Sequence, residues 1–483
     1  MKVIGYGWGR RETRRNSWEL VGTHPNTDKI QKIRVHPRSS ASQKSAVIFG
    51  AGSVGRGFLG QLFTESGYEV VFVDVDGALV EALNRRGSYT LRLSGVGTVE
   101  ELTVGPVRAV NRLDAERVAA EVARASLLAT AAGARALPDV ARSIAAGLDE
   151  RWAVGGWQAG KPAPLLAAHP LVEGRGRQAG KPAPLNVIIC ENLRDAPALL
   201  RGYVRDALPD ALKPYVQARV GSVPLLPRSP APLPHVQARV GFVPAVVARM
   251  SPVPTREQRA ADPTLIVAEP YKVLPVDRAA FVGEIPRVVG MEPVAPFAAY
   301  VERKLYVHNA AHAMLGYLGY RRGLAYGYEA LDDPWVRPLL DQALDEAGRA
   351  LVAEHGFEPQ ALQAHVQDIL ARLANRALAD PVGRLARDPL RKLAPDDRLV
   401  GAARLAEKHA IRPEALAWGI AAALAYDDPA DPDAVELQAH LAQEGLAETL
   451  RTVCSIQPGE PLADLVSKIY WTQMNADFRR LKR

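Results

Sequence analysis

The sequence predicts a doubly wound α/β parallel sheet followed by a mainly helical C-terminal domain, and three observations carry that expectation. From Ser45 onward, short apolar runs alternate with segments of helical spacing, the order that winds a parallel sheet. The first run ends in a glycine-rich turn and the second in an acid, Asp74. From Pro296 onward, Ala, Leu, Glu and Arg recur with a 3.6-residue period and strand signals fade.

Taken in order, residues 46–49 form a buried-strand run ending at Gly50, and 54–66 has helical spacing. Residues 69–73 read as the next strand, and 78–85 as a helix. Helix 115–123, strand 126–130, helix 136–148 and strand 186–190 continue the alternation. One or two last strands are expected within 262–280. Helices are then expected at 296–320, 333–355, 359–376, 398–410, 412–425, 433–452 and 461–477. The domains follow: 1–44 a disordered basic extension, 45–255 a dinucleotide-binding domain, and 256–483 a helical substrate and catalytic domain. The site belongs in the cleft between them, where strand ends face the helices.

Composition narrows the function classes. At 483 residues, 48% hydrophobic and 23% charged, the chain is an ordinary globular protein. No run approaches the roughly 18 apolar residues of a membrane helix. Cys190 and Cys454 are the only cysteines, too few for a disulfide framework or a cysteine zinc site, and a cytoplasmic location is expected. The net charge of +7 arises within residues 1–44, which hold ten Lys/Arg and three acids, leaving 50 of each sign beyond. The body therefore lacks a field to attract nucleic acid. For the tail, a disordered extension or misplaced start outweighs a transit peptide or binding arm.

Two duplications interrupt the plan. Residues 158–165 recur unchanged as 178–185, and 216–224 recur as 236–244 with Ser222 becoming Phe242. Two copies in unrelated places do not make a solenoid. They read as looped-out insertions over about 158–177 and 216–235, away from function.

Gly50-Ala51-Gly52-Ser53-Val54-Gly55 is a Rossmann-type G-x-G-x-x-G fingerprint in its required context, after a strand and at the start of a helix. Gly50 permits the tight turn, Gly52 lets backbone approach a pyrophosphate, and Gly55 allows close helix–strand packing. The helix N-terminus supplies donors and positive dipole. Asp74 is placed to bind ribose hydroxyls and repel a 2′-phosphate, so NAD is expected over NADP. Arg56, which weakens that exclusion slightly, Gly57 and Thr130 complete the expected cofactor site.

A second constellation is Lys304, Asn309 and His312. On an α-helix Asn309 lies about 140° and His312 about 80° around from Lys304, within one broad face. A lysine serves as general base only where burial or cations depress its pKa. An asparagine amide can donate to an oxygen becoming carbonyl-like. Taken alone, such a face is more often a solvated surface.

Gly50–Phe58, Cys190-Glu-Asn192, Val301-Glu-Arg-Lys-Leu305 with Asn309 and His312, and Asp388-Pro-Leu-Arg-Lys-Leu393 with Asp397-Arg-Leu399 occur in that order. Together they resemble the polyol-specific long-chain dehydrogenases, in particular members acting on mannitol 1-phosphate, over about 45–425. The resemblance implies interconversion of a hexitol phosphate and a ketose phosphate, mannitol 1-phosphate and fructose 6-phosphate, with NAD and no catalytic metal. It implies Lys304 as general base, Asn309 and Asn192 polarising the reacting oxygen, and His312 orienting the polyol. His308 shares the helix face without a counterpart in the family pattern, and is expected to be dispensable.

Arg391 and Lys392 are the candidates for the substrate phosphate, one a bidentate fork and the other a point charge. A cationic helix face pairing with Asp396 and Asp397 is the competing reading. One departure stands out: Ala248 and Pro244 occupy positions where the family carries acids. An unphosphorylated polyol or sugar acid as substrate, or a non-catalytic NAD-binding remnant, therefore stay open. The expected partners are small polyol and ketose phosphates, with no nucleic acid or membrane, in a monomer or homodimer.

Overall fold

The computed structural model describes residues 31–35, 44–154, 184–216 and 238–474 apart from Val253. Its first domain is built on six parallel strands: β2 (Lys44–Phe49), β3 (Tyr68–Asp74), β6 (Val107–Asn111), β7 (Leu127–Thr130), β8 (Leu185–Ile189) and β9 (Val240–Pro244), in the order β6-β3-β2-β7-β8-β9. This is the dinucleotide-binding order, and its switch point lies between β2 and β7. Side chains alternate across the sheet. Ala46 and Ile48 pack on one face, with Phe58, Leu62 and Phe72, while Val47 and Phe49 pack on the other, with Val118, Ile144 and Leu200. Both faces are covered, which is why these strands read as unbroken apolar runs.

A second sheet was not expected from the sequence. It joins β1 (Gln31–Val35), β5 (Thr98–Val104), β4 (Tyr89–Gly95) and β10 (Ile266–Ala268) in that spatial order. β4 and β5 form an antiparallel hairpin whose Leu91, Leu93, Leu102 and Val104 enter the same core as Ile48 and Phe72. β1 runs parallel to β5, with Lys32 in register with Glu101. The expectation of disorder over 1–44 therefore fails for Gln31–Val35, whose alternating pattern suits an added edge strand. β11 (Leu274–Asp277) and β12 (Met291–Val294) pair in parallel.

The duplicated insertions fall mostly outside the described residues. Of the second copies, residues 184–185 and 238–244 are described: Leu185 opens β8, and Val240–Pro244 forms edge strand β9 beside it.

The helical domain follows the expected periodicity closely. Helices span Phe297–Arg303, Ala310–Arg321, Val336–His355, Pro359–Leu373, Val400–Lys408, Glu414–Leu424, Pro432–Val453 and Pro461–Ile469. They share one core around Met314, Leu318, Leu340, Leu351, Leu416 and Ile420. The expected helix at 296–320 is not continuous: Lys304–Asn309 is wound as a π-helix between α-helical flanks. No helix among the described residues is long and apolar enough to cross a membrane.

Candidate active site

The glycine turn lies at the carboxyl ends of β2 and β7. Gly50 has φ 97°, and a Cβ there would lie 2.4 Å from the Ala131 carbonyl oxygen, so the position admits only glycine. A Cβ on Gly55 would stand 1.9 Å from the Gly50 carbonyl oxygen, the close packing the motif requires. Gly52 has nothing within 4 Å of its Cβ position, and it is exposed at the tip beside half-buried Ser53 and Val54. The buried Ala51 N–H donates to Asp74 Oδ2 at 2.6 Å, and the Asp76 N–H to Oδ1 at 3.0 Å. Thr130 is fully buried at the end of β7, and its hydroxyl has no partner. An open glycine tip, an anchored acid and an unsatisfied hydroxyl at one switch point fit a dinucleotide.

Two expected cofactor residues face elsewhere. Arg56 is buried, its Nε donating to the Ala51 carbonyl and its Nη1 to the Thr264 carbonyl, both at 2.5 Å. The guanidinium knits the turn to the segment before β10 and is not offered to a 2′-phosphate. Gly57 faces Ser251 and Ile266, where a Cβ would come within 3.1 Å and 3.3 Å, so it serves helix packing. Sequence reasoning missed Glu191, whose carboxylate accepts from the Ala132 and Gly133 N–H groups at 3.0 Å and 2.9 Å and braces the loop after β7. It also missed Val75 and Leu113, 58% and 81% exposed past the ends of neighbouring strands β3 and β6.

The loop after β8 carries Asn192 to the helical domain, where Lys304 Nζ donates to its Oδ1 at 3.3 Å. Burial pushes the Lys304 pKa down to about 8, with the Arg398 charge adding to the effect and Asp397 opposing it. The π-winding alters the geometry expected of an α-helix. Bonding from i to i+5 brings Asn309 closer around the axis to Lys304 than 140°. Such π-turns inside α-helices are frequent at functional sites.

Lys304 lines a cleft of about 270 Å³ with Ala248, Tyr271, Arg303, His308 and His365. His312 lines a neighbouring cleft of about 300 Å³ with Arg372, Asn375 and Asp380. Its Nδ1–H donates to the His308 carbonyl at 2.9 Å, and burial lowers its pKa to about 4, so the ring is neutral. The structure thus unites Lys304 with Asn192 and places Asn309 on the same π-turn. His312 opens into the adjoining space.

Arg391 and Lys392 part company. Arg391 has a side chain 47% exposed, hydrogen-bonded to Asp388 at 3.2 Å. Lys392 is 4% exposed, its ammonium bonded to the Leu385 carbonyl and 5.7 Å over the Tyr317 ring. As a phosphate ligand it is a correction: its four-residue helix, Pro389–Lys392, turns that side chain into the domain core. The nearby cation the sequence did not single out is Arg398, buried, with Nε on Asp397 Oδ1 at 2.6 Å. Among the described residues, no group of three or more His, Cys, Asp or Glu is placed to hold a metal ion.

A profile of the mannitol dehydrogenase Rossmann domain matches residues 44–226, and one of the mannitol dehydrogenase C-terminal domain matches 297–476. The chain belongs to the mannitol dehydrogenase family. As a family member it is an oxidoreductase, a polyol dehydrogenase with a dinucleotide-binding domain. Mannitol-1-phosphate 5-dehydrogenase of Brevibacillus brevis is 37% identical over 421 residues, covering 87% of this chain and 96% of that protein. The enzyme of the same name from Bacillus subtilis is 35% identical over 424 residues, 88% and 98% of the two chains. Two solved structures share the fold. Pseudomonas fluorescens mannitol 2-dehydrogenase, in a ternary complex with NAD and D-mannitol, matches with TM-score 0.66 at 17% identity, covering 92% of this chain and 95% of its own. A substrate-free D-sorbitol dehydrogenase matches with TM-score 0.68 at 16% identity, covering 91% and 95%.

Proposed function

We propose that this mannitol dehydrogenase family member interconverts D-mannitol 1-phosphate and D-fructose 6-phosphate with NAD, using Lys304 as general base. The observation that carries the reading is a desolvated lysine in the helical domain whose Nζ meets Asn192 from the loop after β8. The names of the relatives at 35–37% identity supply the substrate. Gly50, Gly52, Gly55, Asp74 and Thr130 are the residues that would hold NAD. NAD bound there would supply the acceptor for a hydride from the carbinol carbon.

The chain's own residues handle the proton and the charge. The neutral Lys304 amine takes the hydroxyl proton. Because Asn192 Oδ1 faces Lys304, its Nδ2 is left to donate to the oxygen as it becomes carbonyl-like, with Asn309 as a second donor. In the reverse direction the Lys304 ammonium returns the proton. No Lewis acid is needed in this scheme. Arg391, exposed and close enough to act on the Lys304 charge, is the proposed phosphate ligand, and Arg398 and Arg391 both hold down the Lys304 pKa.

The test is a panel of mannitol 1-phosphate and mannitol with NAD and NADP. Turnover of mannitol 1-phosphate with NAD at a much lower KM than mannitol is expected. Equal efficiency on both polyols would favour the unphosphorylated substrate, the reading that burial of Lys392 supports. Tight NADH binding without turnover of either would make the chain a non-catalytic remnant.

A further inference from the structure

His308 has no part in the scheme above, yet it is among the least satisfied polar groups of the helical domain. It is 5% exposed, and its Nδ1 is buried without a hydrogen-bond partner. Buried polar atoms without partners are few in native proteins, and each calls for a reason. His308 lines the Lys304 cleft together with His365 and Arg303. We propose that His308 Nδ1 hydrogen-bonds a hydroxyl of the polyol chain, which makes His308 a specificity-determining residue of this site.

The surroundings fit that role. The π-turn carries Lys304 and His308 within one stretch of backbone, so a substrate held at one is within reach of the other. The His308 ring lies tilted by 40° against His312 with centroids 4.6 Å apart, and His312 in turn bonds the His308 carbonyl. The carbonyl bond fixes the His312 ring, and the ring contact restricts the His308 ring in turn before any ligand arrives. Burial, with the nearby titratable groups His312, Arg372, Lys304 and His365 disfavouring a further positive charge, pushes its pKa well below the ordinary value. The ring is therefore neutral, with one nitrogen donating and the other accepting, as a hydroxyl partner requires. A site built to bond a hydroxyl rejects an analogue lacking it, because its own buried group is left unpaired.

This inference rests on the polyol phosphate reading, and the experiment separates the two. kcat/KM is measured on mannitol 1-phosphate and on analogues each lacking one hydroxyl, for the unmutated enzyme, His308→Leu, His308→Asn and His308→Gln. The Asn amide reaches the Nδ1 position and the Gln amide the Nε2 position, so they report even where the leucine variant fails to fold. NADH titration and thermal midpoint check that each variant is folded. The unmutated enzyme should reject one particular analogue by about tenfold or more. His308→Leu and His308→Gln should lose that discrimination and His308→Asn should keep most of it, while the pH limb of Lys304 stays in place. Full discrimination retained by His308→Leu or His308→Gln would overturn the proposal. So would an equal loss on every substrate with the Asn variant no better than the Gln one. An unmutated enzyme that turns over no polyol phosphate would instead overturn the substrate reading, and this inference with it.

Discussion

Lys304 works as a base only in its neutral form, and its environment sets the pH at which that form prevails. With the pKa near 8, polyol oxidation should rise with pH through an apparent value near 8, well below an ordinary lysine, and ketose reduction should fall over the same range. Lys304→Ala should lower kcat by roughly 10²–10⁴ with NADH binding nearly unchanged, as steady-state kinetics and fluorescence titration would show. Asp74 has two tasks that substitutions can separate. Asp74→Asn keeps an acceptor for the Ala51 N–H and removes the charge, so the preference for NAD over NADP should narrow at little cost in stability. Asp74→Ala also strands that buried N–H and should cost a further ~1–3 kcal/mol in denaturant unfolding. Lys392→Met should leave the ratio of activities on mannitol 1-phosphate and mannitol unchanged, whereas Arg391→Ala should raise KM for the phosphate ester by about 1.5–3 kcal/mol equivalent. A selective loss in the Lys392 variant would return that lysine to the phosphate site. At this scale the sequence was readable where a motif in order fixes a residue's place, as with Gly50 and Asp74 at the ends of β2 and β3 and Lys304 beside Asn192. It was unreadable where a side chain's direction decides: nothing in Arg391-Lys392 says which of the two enters the core.

At the scale of elements, the strand–helix alternation was legible because buried parallel strands are plain apolar runs. The β4–β5 hairpin was passed over because its signal is alternation, Tyr89-Thr-Leu91-Arg-Leu93, half buried and easily mistaken for a loop beside stronger strands. The π-turn at Lys304–Asn309 leaves no mark in hydrophobic spacing, since its flanks keep α-helical periodicity on both sides. Its consequence is local and chemical, moving Asn309 toward Lys304. The segment after β8 matters as much: Glu191 braces the loop after β7, Asn192 meets Lys304, and Arg194 pairs with Asp396 across the domains. The Arg194 pair is well exposed, so Arg194→Ala should shift stability by less than about 1 kcal/mol. It should still loosen Asn192, lowering kcat by up to about fivefold, the rate equivalent of such a pair. Recovery in Arg194→Lys, with KM for NAD unchanged throughout, would show that the pair positions Asn192; a matching fall in thermal midpoint would show a structural role.

Over the whole molecule, a buried ion pair among the described residues joins the two domains, in addition to the exposed Arg194–Asp396 pair. Arg372, in helix Pro359–Leu373, has a side chain 10% exposed and donates through Nε to Glu269 Oε2 at 2.8 Å, where the Glu269 side chain is 2% exposed just past β10. The same guanidinium reaches the Ala248 carbonyl and stacks 4.0 Å over Tyr271, and the Met250 N–H donates to Glu269 at 2.6 Å. The pair thus fixes the segment carrying Ala248, a wall of the Lys304 cleft. Desolvating two charges offsets most of their attraction, so the pair as a unit contributes little net stability, yet removing one partner strands the other. Glu269→Ala should therefore cost about 3–5 kcal/mol in urea unfolding and take activity with it, because the cleft wall loses its anchor. A double replacement, Glu269→Leu with Arg372→Met, should recover most of the stability by restoring apolar packing. It should not recover activity, since neither new side chain can hold the Ala248 carbonyl or the Met250 N–H in place. Full activity in the double variant would show that the ion pair only fastens the domains and does not shape the cleft.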